Sequence, residues 1–288
     1  MTEKPASDAS DDRPTPPVYP GPRQILRYLR IVQENHDDNS VSASTPALDD
    51  LLDPGGAMYL GAIAPMCDLI AGSVSRHEVA PDWVATLEFK IHLVKPVAAG
   101  WVHARCATVR ATKNNILSSS RLHDDAGEAV GLTYATFSRL PYRDDNPRIT
   151  SFMPRAVTDY RSNEEEPRIP FDEYLGLRFT PGETHIELDH HERIYNSFGS
   201  IQGGAMAALL ERAGAHGAER VLGRPARSTD LHFQYLAQAR VGPFRLTTEV
   251  IRADDRGVLS LVELVDVGQD LRLAAVGTTL AVPIDSRS

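Results

Sequence analysis

Cysteine is scarce in this chain of 288 residues: Cys67 and Cys106 are the only two, both in apolar surroundings and at no metal or disulfide spacing. That excludes a disulfide scaffold and a cysteine metal centre, and it fits a cytoplasmic protein. Long apolar runs are missing too, since none reaches the roughly 18 residues that cross a bilayer. Positive charge is in deficit, with 30 Lys and Arg against 39 Asp and Glu and a net charge of −9. A nucleic-acid binder would need a basic footprint, so that class is set aside. A small anionic ligand is still compatible, because a few arginines and a helix N-terminus can hold one. The opening "MTEKPASDASDDRPTPPVYP" lacks an apolar signal segment and is polar, acidic and proline-rich. Residues 1–20 therefore read as a disordered arm.

What is present is a repeat. "NSFGSIQGGAMAALLERAG" (196–214) aligns with "DPGGAMYLGAIAPMCDLIAG" (53–72), setting Asn196 on Asp53, Gln202 on Tyr59, Gly204 on Gly61 and Glu211 on Asp68. Each pair is 143 positions apart (196 − 53, 202 − 59, 211 − 68). At the same offset Thr86 meets Thr229 and Leu93 meets Leu236; after one deletion placed near Gly100, Arg110 meets Arg252 and Pro141 meets Pro283 at 142. A register held over about ninety positions implies a duplication.

Each copy starts with a helical stretch of small residues and continues in runs rich in Val, Thr, Leu and aromatics, such as "WVATLEFKIHLVKP" and "VLSLVELVDVGQD". Asn114-Asn115 and Asp254 to Gly257 supply turn signals between them. "LGLRFTPGETHIELDHHER" reads as a hairpin turning at Pro181-Gly182. The pattern predicts an α+β chain in which each copy is one long helix and about five antiparallel strands. A helix of Ala, Gly, Leu and Met is slim enough for a curved sheet to wrap. The resulting division is an N-terminal repeat over 21–142, a polar linker over 143–169 and a C-terminal repeat over 170–288.

The glycine pair poses the chemical question. Gly203 and Gly204 each cost a helix interior roughly 1 kcal/mol, so bare backbone there needs a reason. Asn196, Gln202-Gly203-Gly204 and an acid at these spacings resemble the acyl-CoA thioesterases of the phenylacetate-pathway (PaaI-like) type, and the helix-and-sheet unit resembles the hotdog fold. The resemblance spans nearly all of residues 25–284 and implies a tandem, or double, hotdog. It departs in one place, since Gln202 stands where many relatives have His.

The resemblance implies a site shared between the repeats. The C-terminal repeat would contribute Asn196, Gln202 and the N–H of Gly203 as an oxyanion donor at a helix N-terminus, with Gly204 beside it. The N-terminal repeat would contribute Asp68 as general base or nucleophile, with Thr86 placing the water. The reciprocal site would combine Glu211 and Thr229 with Asp53 and Tyr59. There Asp53 replaces the Asn and Leu60 the first glycine, so this second site is expected to be inactive or to bind only. Read singly, these residues have ordinary uses: glycine pairs permit tight packing, Asn caps turns, and Thr belongs in strands.

Arg110 and Arg252 are candidate phosphate partners. His190-His191 has no further ligands at metal-like spacing, and Cys67, with no His at a useful distance, reads as a buried small hydrophobe. The expected partner is an acyl-CoA, with no separate cofactor, no metal, no nucleic acid and no membrane, and with a homodimer of double-hotdog chains implied by the resemblance. The alternative reading is a non-catalytic acyl-CoA binder or sensor. A hydratase would want an Asp/His pair in a different motif, which is not found.

Overall fold

The computed structural model describes residues 20–143, 153–161, 168–180 and 185–285. The N-terminal arm up to residue 19 and the Pro181-Gly182 turn lie outside them. A short helix α1 (Ile25–Tyr28) leads into β1 (Val32–Asn35) and β2 (Val41–Pro46), followed by the long helix α2 (Leu60–Val79). Then come β3 (Trp83–Leu93), β4 (Trp101–Ala111), β5 (Asn115–His123) and β6 (Ala129–Leu140). After β7 (Val157–Asp159) the series repeats with α3 (Phe171–Tyr174), β8 (Arg178–Phe179), β9 (His185–Leu188), α4 (Gly203–Leu222), β10 (Ala226–Tyr235), β11 (Phe244–Asp254), β12 (Gly257–Asp266) and β13 (Arg272–Pro283). Each copy thus has six strands, one more than the sequence suggests, because β1 and β8 are too short to show a period.

All thirteen strands form one antiparallel sheet, in the order β7-β1-β2-β4-β5-β6-β3-β10-β13-β12-β11-β9-β8. The two copies join at the β3–β10 seam, where Phe89 pairs with Phe233. On the concave side lie α2 and α4, twenty residues each and packed on one another. Both are buried over most of their length, as their small side chains require. α2 stops before Pro81, whereas α4 stops at Gly223 in the left-handed conformation (φ 64°).

Sheet register corrects the repeat alignment. β3 has an extra residue between Thr86 and Glu88, and β10 has one between Ser228 and Asp230. Matching these bulges sets Thr86 on Ser228, an offset of 142 (228 − 86), so the deletion falls between helix and strand and not near Gly100. The repeat also extends further upstream than the 143 register reveals. Tyr28 corresponds to Tyr174, and Arg30 (φ 54°) to Gly176 (φ 74°), both at 146 (174 − 28, 176 − 30). The two tyrosines stack on each other with ring centroids 3.6 Å apart.

The stretch 143–169 is more than a polar linker. β7 within it pairs with β1, and Arg168 binds Asp50 through Nε and Nη2 (2.8 and 2.6 Å) while lying over the Tyr28 ring. Its "SNEEEP" portion, residues 162–167, lies outside the described residues.

The glycine at 204 is explained by the crossing of the two helices. A Cβ there would come 2.2 Å from Pro65 Cα and 2.8 Å from Pro65 Cβ. Alanine is the better helix former by at most about 1 kcal/mol, and forcing two backbones apart costs more. Gly204→Ala should therefore lose about 2 kcal/mol or more in urea unfolding. Adding Pro65→Ala should not restore it, because the nearest obstacle is a backbone atom.

Candidate active site

The N-terminus of α4 is built around Gln202. Its backbone is extended, and its Oε1 accepts from the Ala205 N–H (2.7 Å), which caps the helix and fixes the amide so that Nε2 points the other way. That Nε2 donates to Asp68 Oδ2 at 3.2 Å. Asp68, in the middle of α2, also accepts from Thr86 Oγ1 (3.2 Å) and from the Gly204 N–H. Asp68, Thr86, Gln202, Gly203 and Gly204 therefore meet at one point, contributed by both repeats.

Gly203 is bare for a second steric reason, since a Cβ would fall 2.4 and 2.7 Å from the two Asp68 oxygens. The opening donors of α4 are assigned one by one: Gly204 N–H to Asp68, Ala205 N–H to the Gln202 side chain, and Met206 N–H to the Gln202 carbonyl. The Gly203 N–H has no acceptor among the described residues, and Gly203 lines a cavity of about 380 Å³. Asp68, Thr86, Gln202 and Asn196 line the same cavity. Asn196 does not reach Asp68; its Oδ1 accepts from the Phe198 and Ser200 N–H groups, and its Nδ2 donates to Ser200 Oγ, shaping the turn at the cavity wall.

Burial pushes the Asp68 carboxyl up to about 6, with the Thr86 hydroxyl and Gly204 N–H partly offsetting it. Tyr235, whose hydroxyl donates to the Gly203 carbonyl, is raised well above the usual phenol range by burial and by the nearby Asp68 charge. Tyr235 went unnoticed in the sequence, since a tyrosine ending a strand carries no signal of its own.

The reciprocal location is differently furnished. Glu211 accepts from the Gly61 N–H (3.1 Å), the counterpart of the Gly204 contact. Thr229 is not its partner: it is the bulge residue of β10 and donates to Asp230 Oδ2 (2.9 Å). Burial raises the Glu211 carboxyl, and the Arg212 charge and a hydroxyl offset part of that; the hydroxyl belongs to Ser228, although it makes no hydrogen bond of ordinary length. Where the first repeat has Leu69, the second has Arg212, whose guanidinium binds Asp172 (2.6 and 3.0 Å) and lies 4.0 Å over the Tyr59 ring. Burial works to lower the Arg212 pKa, but Glu211 and Asp172 more than offset it. Burial raises Tyr59 to about 12 despite the opposing Arg212 charge. Asp53 is held by Arg227 across the repeats (Nη2–Oδ1 3.0 Å) and also accepts from the Ala57 N–H. Comparing the acid's neighbours in the two copies, Leu69 against Arg212, would have exposed this difference from sequence alone.

Arg110 and Arg252 are exposed and line neither location; Arg252 binds Asp254. His191 bonds the Leu175 carbonyl, and His190 packs on Tyr195. Cys67 is fully buried, and burial pushes its thiol up, away from thiolate chemistry.

Two slim helices wrapped by one antiparallel sheet, with an acid of one helix facing the N-terminus of the other, define a double-hotdog enzyme. Both repeats match thioesterase family models. Residues 10–134 match the family described as acyl-CoA thioesterase C-terminal domain, and residues 198–272 match the thioesterase superfamily itself. A tesB protein from Mycobacterium avium subspecies paratuberculosis shares the fold at TM-score 0.63 and 10% identity, covering 91% of this chain and 98% of its own. An acyl-ACP thioesterase from Bacteroides thetaiotaomicron does so at TM-score 0.57 and 10% identity, covering 85% and 98%. No curated protein sequence matches. No helix among the described residues is long and apolar enough to cross a membrane.

The raised Asp68 carboxyl has a consequence for stability. Its native pKa of about 6 exceeds the ordinary aspartate value of 3.8, so the folded state holds the proton more tightly than the unfolded one. The associated stability is fully present below about pH 4 and is lost as pH rises through 6, to the extent of about 3 kcal/mol. Asp68→Asn should accordingly melt higher than the parent at pH 7 to 8, and the difference should shrink steadily in melts at pH 5 and 4.

Proposed function

We propose that this thioesterase hydrolyses acyl-CoA thioesters at one site, between the repeats, using Asp68 against the N-terminus of α4. The observation that carries the reading is the Gly203 N–H, without an acceptor among the described residues, on a glycine that lines the same cavity as Asp68. A donor at a helix N-terminus is suited to the oxyanion that forms when a thioester carbonyl is attacked, and the helix dipole adds to it. Bare backbone at Gly203, which lines the cavity beside Asp68, leaves that carbonyl room to approach.

In this reading Asp68 takes the proton of an attacking water or attacks the carbonyl carbon itself. Gln202 Nε2 and Thr86 Oγ1 orient its two oxygens. With its pKa near 6, Asp68 is ionised at neutral pH yet basic enough to accept a proton. The thiolate of CoA leaves; on the first route the acid is released directly, and on the second water cleaves the acyl-aspartyl anhydride to free the acid and restore Asp68. Tyr235 holds the Gly203 peptide in place through its carbonyl, acting as a positioning residue. The reciprocal location, where Arg212 and Tyr59 pack beside Glu211, is silent. The non-catalytic binder is the second reading, but a base and a free donor at one cavity favour turnover.

Steady-state hydrolysis of a small acyl-CoA panel, followed by thiol release, tests this. Asp68→Asn should lower kcat by about two orders of magnitude or more, while Glu211→Gln should leave it within about threefold. Wild-type kcat/KM should rise with pH through about 6 and level off above 7. Binding of acyl-CoA without thiol release would reject the catalytic reading. Loss of turnover in Glu211→Gln would reject the single-site assignment.

A further inference from the structure

The cavity extends well beyond Asp68. Asp68, Gly72 and Arg76 stand at i, i+4 and i+8 on α2, and all three line it. Eight residues of helix advance about 12 Å. Leu69, Val84, Phe137 and Leu140 make much of its lining apolar, with Ser73 among them. Arg76 lines it beside Trp83, whose ring centroid lies 5.9 Å from the guanidinium carbon.

Arg76 differs from the other inward-facing arginines. Arg212 has Asp172, Arg227 has Asp53 and Arg168 has Asp50. Arg76 has no carboxylate and no hydrogen bond among the described residues, and its Nε is buried without an acceptor. Burial lowers its pKa, and the Tyr160 phenol beside it offsets only part of that. A cation in the last turn of a helix gains something from the helix dipole, which is the ordinary use of such a residue. That gain operates at the surface as well, so it gives no reason to bury the group in a cavity without a counter-ion. The equivalent position of α4 is Glu219 (219 − 76 = 143), so the cation is no relic of a shared repeat pattern.

We propose that Arg76 determines substrate choice by pairing with a carboxylate at the far end of the acyl group, so that the preferred substrates are monothioesters of dicarboxylic acids. The inference rests on the reading that Asp68 marks the reacting end. An apolar wall suits methylenes or an aryl ring between the thioester and the distal charge, whereas a pantetheine arm would present amides to it. The planar guanidinium matches a carboxylate through two parallel hydrogen bonds.

The test compares monocarboxylic and dicarboxylic acyl-CoA series of increasing length with wild type, Arg76→Gln and Arg76→Lys. In wild type, kcat/KM should favour the dicarboxylic thioester of matching length by about tenfold or more. Arg76→Gln should abolish that preference while changing turnover of the neutral thioester by less than about threefold, and Arg76→Lys should restore part of it. Equal loss on both series would overturn the proposal. So would a loss on every CoA thioester that spares the corresponding pantetheine thioesters, because the anion would then be a CoA phosphate. If wild type hydrolyses nothing, the thioesterase reading fails separately. Calorimetry with non-hydrolysable CoA thioethers ending in a carboxylate or a methyl group then decides: a wild-type preference for the carboxylate that Arg76→Gln lacks supports the pairing, and no preference overturns it.

Discussion

The close crossing of α2 and α4 is the constraint on which the rest depends. Two helices inside one curved sheet can meet only if their facing surfaces are small, and here the limit is set by atoms: Pro65 against Gly204, and the Asp68 carboxylate against Gly203. The same approach that leaves no room for a Cβ brings an acid of one repeat to the open N-terminus of the other's helix. Packing and site are thus one feature. A looser crossing would tolerate alanine at both glycines but would move Asp68 away from the Gln202 amide and the Gly204 N–H that hold it.

Because the two repeats are related by a pseudo-twofold, the crossing creates two such places, and the chain has treated them differently. Around Asp68 the neighbouring groups are neutral: Gln202, Thr86, and Leu69 next along the helix. Around Glu211 they are charged or aromatic: Arg212, Asp172 and Tyr59. Either set can accommodate a buried acid. Burial raises the acid's pKa in both places; beside Asp68 neutral hydrogen bonds leave a cavity, whereas beside Glu211 an ion-pair network supplies a counter-charge. Asp53, which at first sight adds an unfavourable anion beside the second location, is answered by Arg227 from the other repeat. That anion became a tie between repeats.

Much of this was legible in the sequence because duplication supplies its own comparison. The slim helices, the paired acids and the glycine shared by 61 and 204 show in two copies, and the helix offset of 143 places each on its partner. The strands were harder. Strand residues alternate whichever register is chosen, so a one-residue shift leaves the pattern intact, and only the bulges reveal that Ser228 matches Thr86. Thr229 was assigned to Glu211 for that reason. The stretch 143–169 reads as polar linker since β7, three exposed residues long, owes its strand conformation to pairing with β1 and to nothing in its own composition. Tyr28 and Tyr174, stacked on one another, were missed because three residues separate their offset from that of the helices.

Arg76 and Arg212 bring these threads together. Both lie on the paired helices; Arg212 is buried, and Arg76 is half-buried with its Nε lacking an acceptor. Arg212 is met by Glu211 and Asp172 and lies over Tyr59, so its charge is balanced within the fold and the space around it is spent. Arg76 is met by a ring and a phenol, and its charge is left for something the fold does not supply. Even a half-buried cation without an anion is costly to keep, and it lines the same cavity as the base. The half of the molecule that kept its cavity is therefore also the half that kept an unanswered charge. A ligand that is apolar in the middle and anionic at its tip would satisfy both.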